Sequence, residues 1–144
     1  MRFSKIAKVT LFTFIISVSF SIEANARKNE TSFNWGPLMD AITQVESEGN
    51  SKAIGGKSAC GAMQIRPILV EECNAILKHR GLTKRYTLND RFNVKKSREM
   101  FVLIMSKYNP DNDVERAIRL WNGGVRYTVK GTQGYYNKVM RLYK

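Results

Sequence analysis

Histidine is almost absent from this chain. The one copy, His79, stands between Lys78 and Arg80, where a surface residue is expected rather than a base or a ligand. With so little histidine there is no Ser-His-Asp set, and the two cysteines have no metal-ligand spacing. No glycine-rich phosphate loop is present either, so neither a metal nor a cofactor is implied. Alternating apolar and polar runs are missing, which argues against sheet, and there is no internal repeat or low-complexity tract. Acidic residues are scarce, 12 Asp and Glu against 24 Lys and Arg, for a formal net charge of +12. The longest apolar run, Val9 to Ile22, has 14 residues, short of the ~20 that a spanning helix needs.

That run has the build of an export signal. Arg2, Lys5 and Lys8 precede it, and Ala24-Asn25-Ala26 follows with small residues where a signal peptidase reads. Residues 1–26 are therefore expected to be a signal peptide cut after Ala26, with an uncleaved anchor as the alternative. A lipoprotein signal is excluded because no cysteine lies near the cut. Export to the periplasm or the medium follows, with no stable membrane insertion once the signal is gone. The remaining chain carries 21 basic and 11 acidic residues. Such a surface suits polyanions, and export argues against nucleic acid as the partner. At 144 residues and 16.5 kDa one domain is expected, over residues 35–144, behind a flexible polar leader at 27–34.

Helical spacing recurs through that domain. Leu38, Ala41, Ile42 and Val45 predict a first helix from Pro37 to Ser47, stopped by Gly49-Asn50. Pro67 opens a second, closed by Arg80-Gly81, and Leu82 to Asp90 reads as a polar connector. A third is expected from Phe92 to Tyr108, broken by Asn109-Pro110-Asp111. Val114, Ala117, Ile118 and Trp121 mark a short fourth, ended by Asn122-Gly123-Gly124, and Thr132 is expected to cap a last one. Cys60 and Cys73 flank the Gly61–Ile65 segment. A disulfide between them would tie that segment to the second helix, and two small buried thiols are the other reading.

The chemistry-bearing candidate is Glu46. It sits on the rim of the first helix's apolar face and at that helix's C-terminal end. Partial burial and the negative end of the helix dipole both favour the neutral acid. A glutamic acid kept protonated near neutral pH is what cleavage of a glycosidic bond requires, because the leaving oxygen must receive a proton. Glu48 points to another side of the helix and is expected in solvent.

Four segments in order, Glu46-Ser47, Gly61-Ala62-Met63-Gln64-Ile65, Trp121-Asn122-Gly123-Gly124 and Thr132 with Tyr135, resemble the lytic transglycosylase and goose-type lysozyme family, which cuts the glycan of peptidoglycan. The resemblance covers Trp35 to Tyr143. It implies a mainly α, lysozyme-like domain of about five helices around a substrate cleft. It makes Glu46 the sole catalytic acid and base. Ser47 would help position the substrate or the catalytic site, or else satisfy a spare helix carbonyl. Gly61 would let backbone approach the sugar, Met63 would form an apolar wall, and Gln64 would bond an acetamido or hydroxyl group. Ile65 is expected in the core. Asn122 would bind substrate beside Glu46, Gly123 and Gly124 would keep the cleft open, and Tyr135 would bring its hydroxyl near the acid. Tyr136 is expected to pack. Trp121 stands where the family usually has tyrosine and so lacks that hydroxyl.

Hydrolases of retaining or inverting type use two carboxylates, and no second one is paired with Glu46 in a motif. The resemblance therefore implies the single-acid route, which closes a 1,6-anhydro ring without water. A goose-type lysozyme acting by hydrolysis is the nearest competitor. A non-catalytic wall-binding protein, or a component of an envelope-spanning secretion or conjugation machine, is the competitor from another class. Peptidoglycan strands are the partner implied, and a monomer the state.

Overall fold

The computed structural model describes residues 33–144. The segments read as signal peptide and most of the leader lie outside them. The chain enters with Phe33 against Trp35, ring centroids 4.4 Å apart. Trp35 is the N-cap residue of α1, Gly36–Ser47, without a side-chain cap; Asn34 Oδ1, one residue earlier, accepts the Gly36 amide at 3.0 Å, and the first turn also holds Pro37. Phe33 and Asn34, expected in the leader, thus already belong to the folded part. α1 buries Leu38, Met39, Ala41 and Ile42. It stops one residue sooner than its glycine, because Glu48 itself takes the left-handed conformation, with Gly49 following.

Residues 50–66 form a loop pinned by two isolated antiparallel bridges, Ile54 with Cys60 and Cys60 with Ile65. α2 then runs Pro67–His79 and closes through Arg80 and left-handed Gly81. The connector beyond is more ordered than its polarity predicts. Asn74 holds both backbone groups of buried Tyr86 at 2.8 Å, and Thr87 with Asp90 makes a reciprocal cap on a 3-10 turn, Leu88–Phe92. That turn displaces the start of α3 to Val94, two residues later than expected, and Asn93 caps it by accepting the Lys96 amide. α3, Val94–Tyr108, carries Met100, Phe101, Ile104 and Met105 into the centre of the core.

Buried Asn109 staples the next bend by bonding both backbone groups of Asp113, which in turn caps α4, Val114–Gly123. α5 spans Val129–Leu142, and here the expected cap is wrong. Thr128 caps it, accepting the Gly131 amide, while Thr132 lies buried within the first turn. Among the described residues there are five α-helices and no strand, the mainly helical architecture the spacing predicts. None of these helices is long and apolar enough to cross a membrane. Around Phe101 the aromatic rings of Trp35 and Trp121 close in at 5.6 and 5.0 Å. Cys60 and Cys73 are free and buried, Cys73 with its thiol toward the Met100 carbonyl.

Candidate active site

The last turn of α1 brings Glu46 to the second turn of α5, where the Tyr135 hydroxyl donates to Glu46 Oε1 at 2.7 Å. Two forces then act on the acid. Burial raises its pKa above the ordinary carboxylate value, and the Tyr135 hydrogen bond pulls it back by less. The position of Glu46 at the negative end of α1 adds to the upward push. Tyr135 is pushed up as well, by its own burial and then by the neighbouring carboxylate, so its hydroxyl stays a donor. Tyr136, one residue on, faces elsewhere, with the Arg119 guanidinium 4.5 Å from its ring centre. Of the two tyrosines it is therefore Tyr135 that meets Glu46.

Ser47 works on the loop. Its hydroxyl donates to the Ala62 carbonyl at 2.7 Å, and lies 3.4 Å from that of Thr43, fixing the end of α1 to the Gly61–Ile65 segment. Within that segment the structure departs from three expectations. Gly61 is buried and left-handed, and a Cβ there would sit 1.8 Å from the Arg91 carbonyl oxygen. It serves a close approach of two backbones rather than of backbone and sugar. Met63 has no exposed surface and belongs to the core, not to a groove wall. Gln64 folds its side chain back, with Nε2 donating to the Gly61 carbonyl at 2.9 Å and to that of Ala53 at 3.4 Å. Its backbone is left-handed, which gives this turn its shape. Ile65 is in the core, as expected.

Trp121 reaches the same segment from α4, its indole N–H donating to the Met63 carbonyl at 3.3 Å. Asn122 is exposed at the end of α4 and makes no side-chain hydrogen bond among the described residues. Gly123 does more than open space, since a Cβ on it would lie 2.6 Å from Tyr127 Cβ and 2.9 Å from Thr132 Cγ2. Gln64 and Trp121 together with Leu69, Tyr108 and Leu120 line a cavity of about 240 Å³. Glu72 borders it, accepting from Tyr108 and Lys107 at 2.7 Å each. Its desolvation is outweighed by these two partners, which hold it below the usual carboxylate value.

Sequence reasoning missed the buried arginines. Arg119, 3% exposed, binds Glu115, the Val129 carbonyl, Thr132 Oγ1 and Gln133 Oε1, which locks α4 to the start of α5. Arg91 donates to the carbonyls of Leu88, Ser58 and Ile65, holding the loop from behind. The one trace of Arg119 in the sequence is its i,i+4 spacing from Glu115.

An acid at the end of the first helix, answered by a tyrosine from the last and backed by a stapled loop, can give and retrieve one proton. A family model described as the transglycosylase SLT domain matches residues 22–140. The chain belongs to that family. No curated protein and no solved structure matches it. The five-helix, lysozyme-like architecture agrees with the SLT domain, and the activity this domain indicates is transglycosylase cleavage of peptidoglycan glycan.

Proposed function

We propose that this SLT domain cuts the β-1,4 bond between N-acetylmuramic acid and N-acetylglucosamine with Glu46 as its only acid and base. The observation that carries this reading is the 2.7 Å bond between Tyr135 and a carboxyl that burial keeps biased toward its neutral form. Neutral Glu46 gives its proton to the bridging oxygen, and N-acetylglucosamine leaves with a free 4-hydroxyl. The acetamido group of the muramic sugar steadies the cation at C1. Glu46, now charged and held by Tyr135, takes the proton of the C6 hydroxyl, and O6 bonds to C1. One C–O bond breaks, one forms, and no water is consumed.

The disposition of the other acids supports one carboxylate rather than two. Among the described residues Asp40, Glu72, Glu99 and Glu115 are engaged by basic side chains, Asp90 by Lys96 and its cap, and Asp113 by its cap. Glu48, Glu71 and Asp111 are exposed. Export of the chain, and the cut after Ala26, are part of the same proposal, since the substrate lies outside the cytoplasm. The test incubates purified protein, wild type and Glu46→Gln, with peptidoglycan and weighs the products. Anhydromuropeptides from wild type alone are expected. Reducing ends as the main product would replace this route with hydrolysis, and an active Glu46→Gln would remove Glu46 from the chemistry.

A further inference from the structure

A second concavity, about 850 Å³, lies along α3 and shares no lining residue with the cavity beside Gln64 and Trp121. α3 turns its core side inward through Met100, Phe101 and Met105, yet Val94, Val102 and Leu103 line this outer groove, with Val94 and Val102 each more than two-fifths exposed. The wall opposite is apolar too, from Met39 of α1, Leu77 of α2 and the buried ring of Tyr86. From Val94 to Ser106 the lining runs about 18 Å along the helix axis, three to four turns of a second helix laid beside it.

The rim is basic. Arg80, Lys84, Lys95 and Arg98 border the groove against one acid, Glu99. Glu99 binds Lys84 and Asp40 binds Arg98, leaving Arg80 and Lys95 with no carboxylate partner among the described residues. An apolar floor edged by cations selects an occupant with an apolar stripe and acidic flanks. The chain itself fits poorly. Its first 32 residues hold five basic residues against two acidic ones, and a second copy, cut after Ala26, would bring 21 basic against 11 acidic residues to a basic rim. A flat anionic bilayer would meet the rim but not the recessed Leu77 and Tyr86.

We infer that the groove between α3 and the Leu77–Tyr86 wall is a docking site for an acidic amphipathic helix of another protein. Its occupant sits apart from Glu46, so docking leaves the glycan-cleaving site free and localises the domain.

The probes are two synthetic 18-residue helices with one leucine stripe, flanked by glutamate in one and by lysine in the other. The acidic helix is expected to bind at least about tenfold more tightly, with amide shifts centred on Val94, Val102 and Leu103. Val102→Glu and Lys95→Glu replace exposed residues. Each should weaken that binding about tenfold while circular dichroism and peptidoglycan cleavage stay at wild-type values. Equal affinity for both helices, no binding at millimolar peptide, or shifts elsewhere would overturn the inference. So would stronger perturbation of the same residues by phosphatidylglycerol vesicles, which would make the groove a lipid contact. Self-association abolished by Val102→Glu would assign it to a second copy. None of these outcomes bears on Glu46, so the docking site and the proposed reaction stand or fall separately.

Discussion

Tyr135 and Glu46 are 89 positions apart in sequence and meet at 2.7 Å, hydroxyl to carboxylate. The bond opposes the effect of burial on the acid, and it strengthens as Glu46 ionises. Tyr135→Phe should therefore cut kcat by roughly 10- to 100-fold, the worth of a hydrogen bond to a charged group. It should also shift the pH profile. With its donor gone Glu46 holds its proton to higher pH, so the alkaline limb of kcat/KM moves upward. A profile that falls in height without moving would show that Tyr135 acts on something other than this proton.

Glu46→Gln should lose activity by about 10²- to 10⁴-fold, the usual range for a general acid and base. The same substitution should stabilise the fold. A carboxyl whose folded pKa is raised binds more protons folded than unfolded between its two pKa values, so stability falls as pH rises through that window. Glutamine removes the penalty. Its melting temperature should exceed wild type by a few degrees at pH 7, and the gap should close below the unfolded pKa of about 4.5. A gap of constant size across pH would argue against a buried, destabilised acid.

Much of this fold is legible in the spacing of apolar residues, and the places where it is not have identifiable causes. α1, α2 and α4 begin and end within a residue or two of where Pro37, Pro67, Val114 and the closing glycines put them. α5 starts earlier than a Thr132 cap predicts because Thr128 and Thr132 are equally good caps by type, and burial of Thr132 by Arg119 chooses between them. That Glu46 and Tyr135 meet is legible from motif order. Gly61 and Met63 were readable only as types, since a left-handed glycine facing the Arg91 backbone and one facing a sugar leave the same letter in the sequence. Arg119 and Arg91 were invisible because arginine on a helix or turn reads as solvent-facing until its acceptors are in place.

Gly61→Ala separates those two roles of glycine. The new Cβ would meet the Arg91 carbonyl and its φ of +78° is one that alanine resists. A loss of about 2–4 kcal/mol is expected, from backbone strain plus displacement of the 3-10 turn. Denaturant unfolding should show that loss. At low temperature, where the variant is still folded, KM for peptidoglycan should stay close to wild type. A raised KM in a fully stable variant would return Gly61 to the substrate.

Glu72→Gln tests whether a second carboxylate takes part. Glu72 borders the cavity shared by Gln64 and Trp121 and is held ionised by Lys107 and Tyr108. If the single-acid route holds, this variant should give the same anhydro products at nearly the same rate. Its folded pKa is lowered, so the stability it contributes is present above the unfolded value and lost as pH falls through the folded one. With a third of its side chain exposed, that contribution should be under about 1 kcal/mol at neutral pH. A collapse in rate would point to Glu72 in the chemistry.

Arg119 is placed to decide whether Tyr135 can reach the acid at all. Its guanidinium spends donors on Glu115, Val129, Thr132 and Gln133, three of them in the first two turns of α5, and it covers the ring of Tyr136. Tyr135 lies between Gln133 and Tyr136 on that helix, so its direction is set by the same clamp. Lysine cannot reproduce a planar fork with this many acceptors. Arg119→Lys should lose about 2–3 kcal/mol, less than a wholly buried pair would because Glu115 is half exposed. The rate should fall with it even at temperatures where circular dichroism shows a folded chain. The alkaline limb of the pH profile should move in the same direction as in Tyr135→Phe, because a tilted α5 withdraws the same donor. An Arg119→Lys protein with lowered stability but an unmoved pH profile would reduce the clamp to a structural tie between α4 and α5.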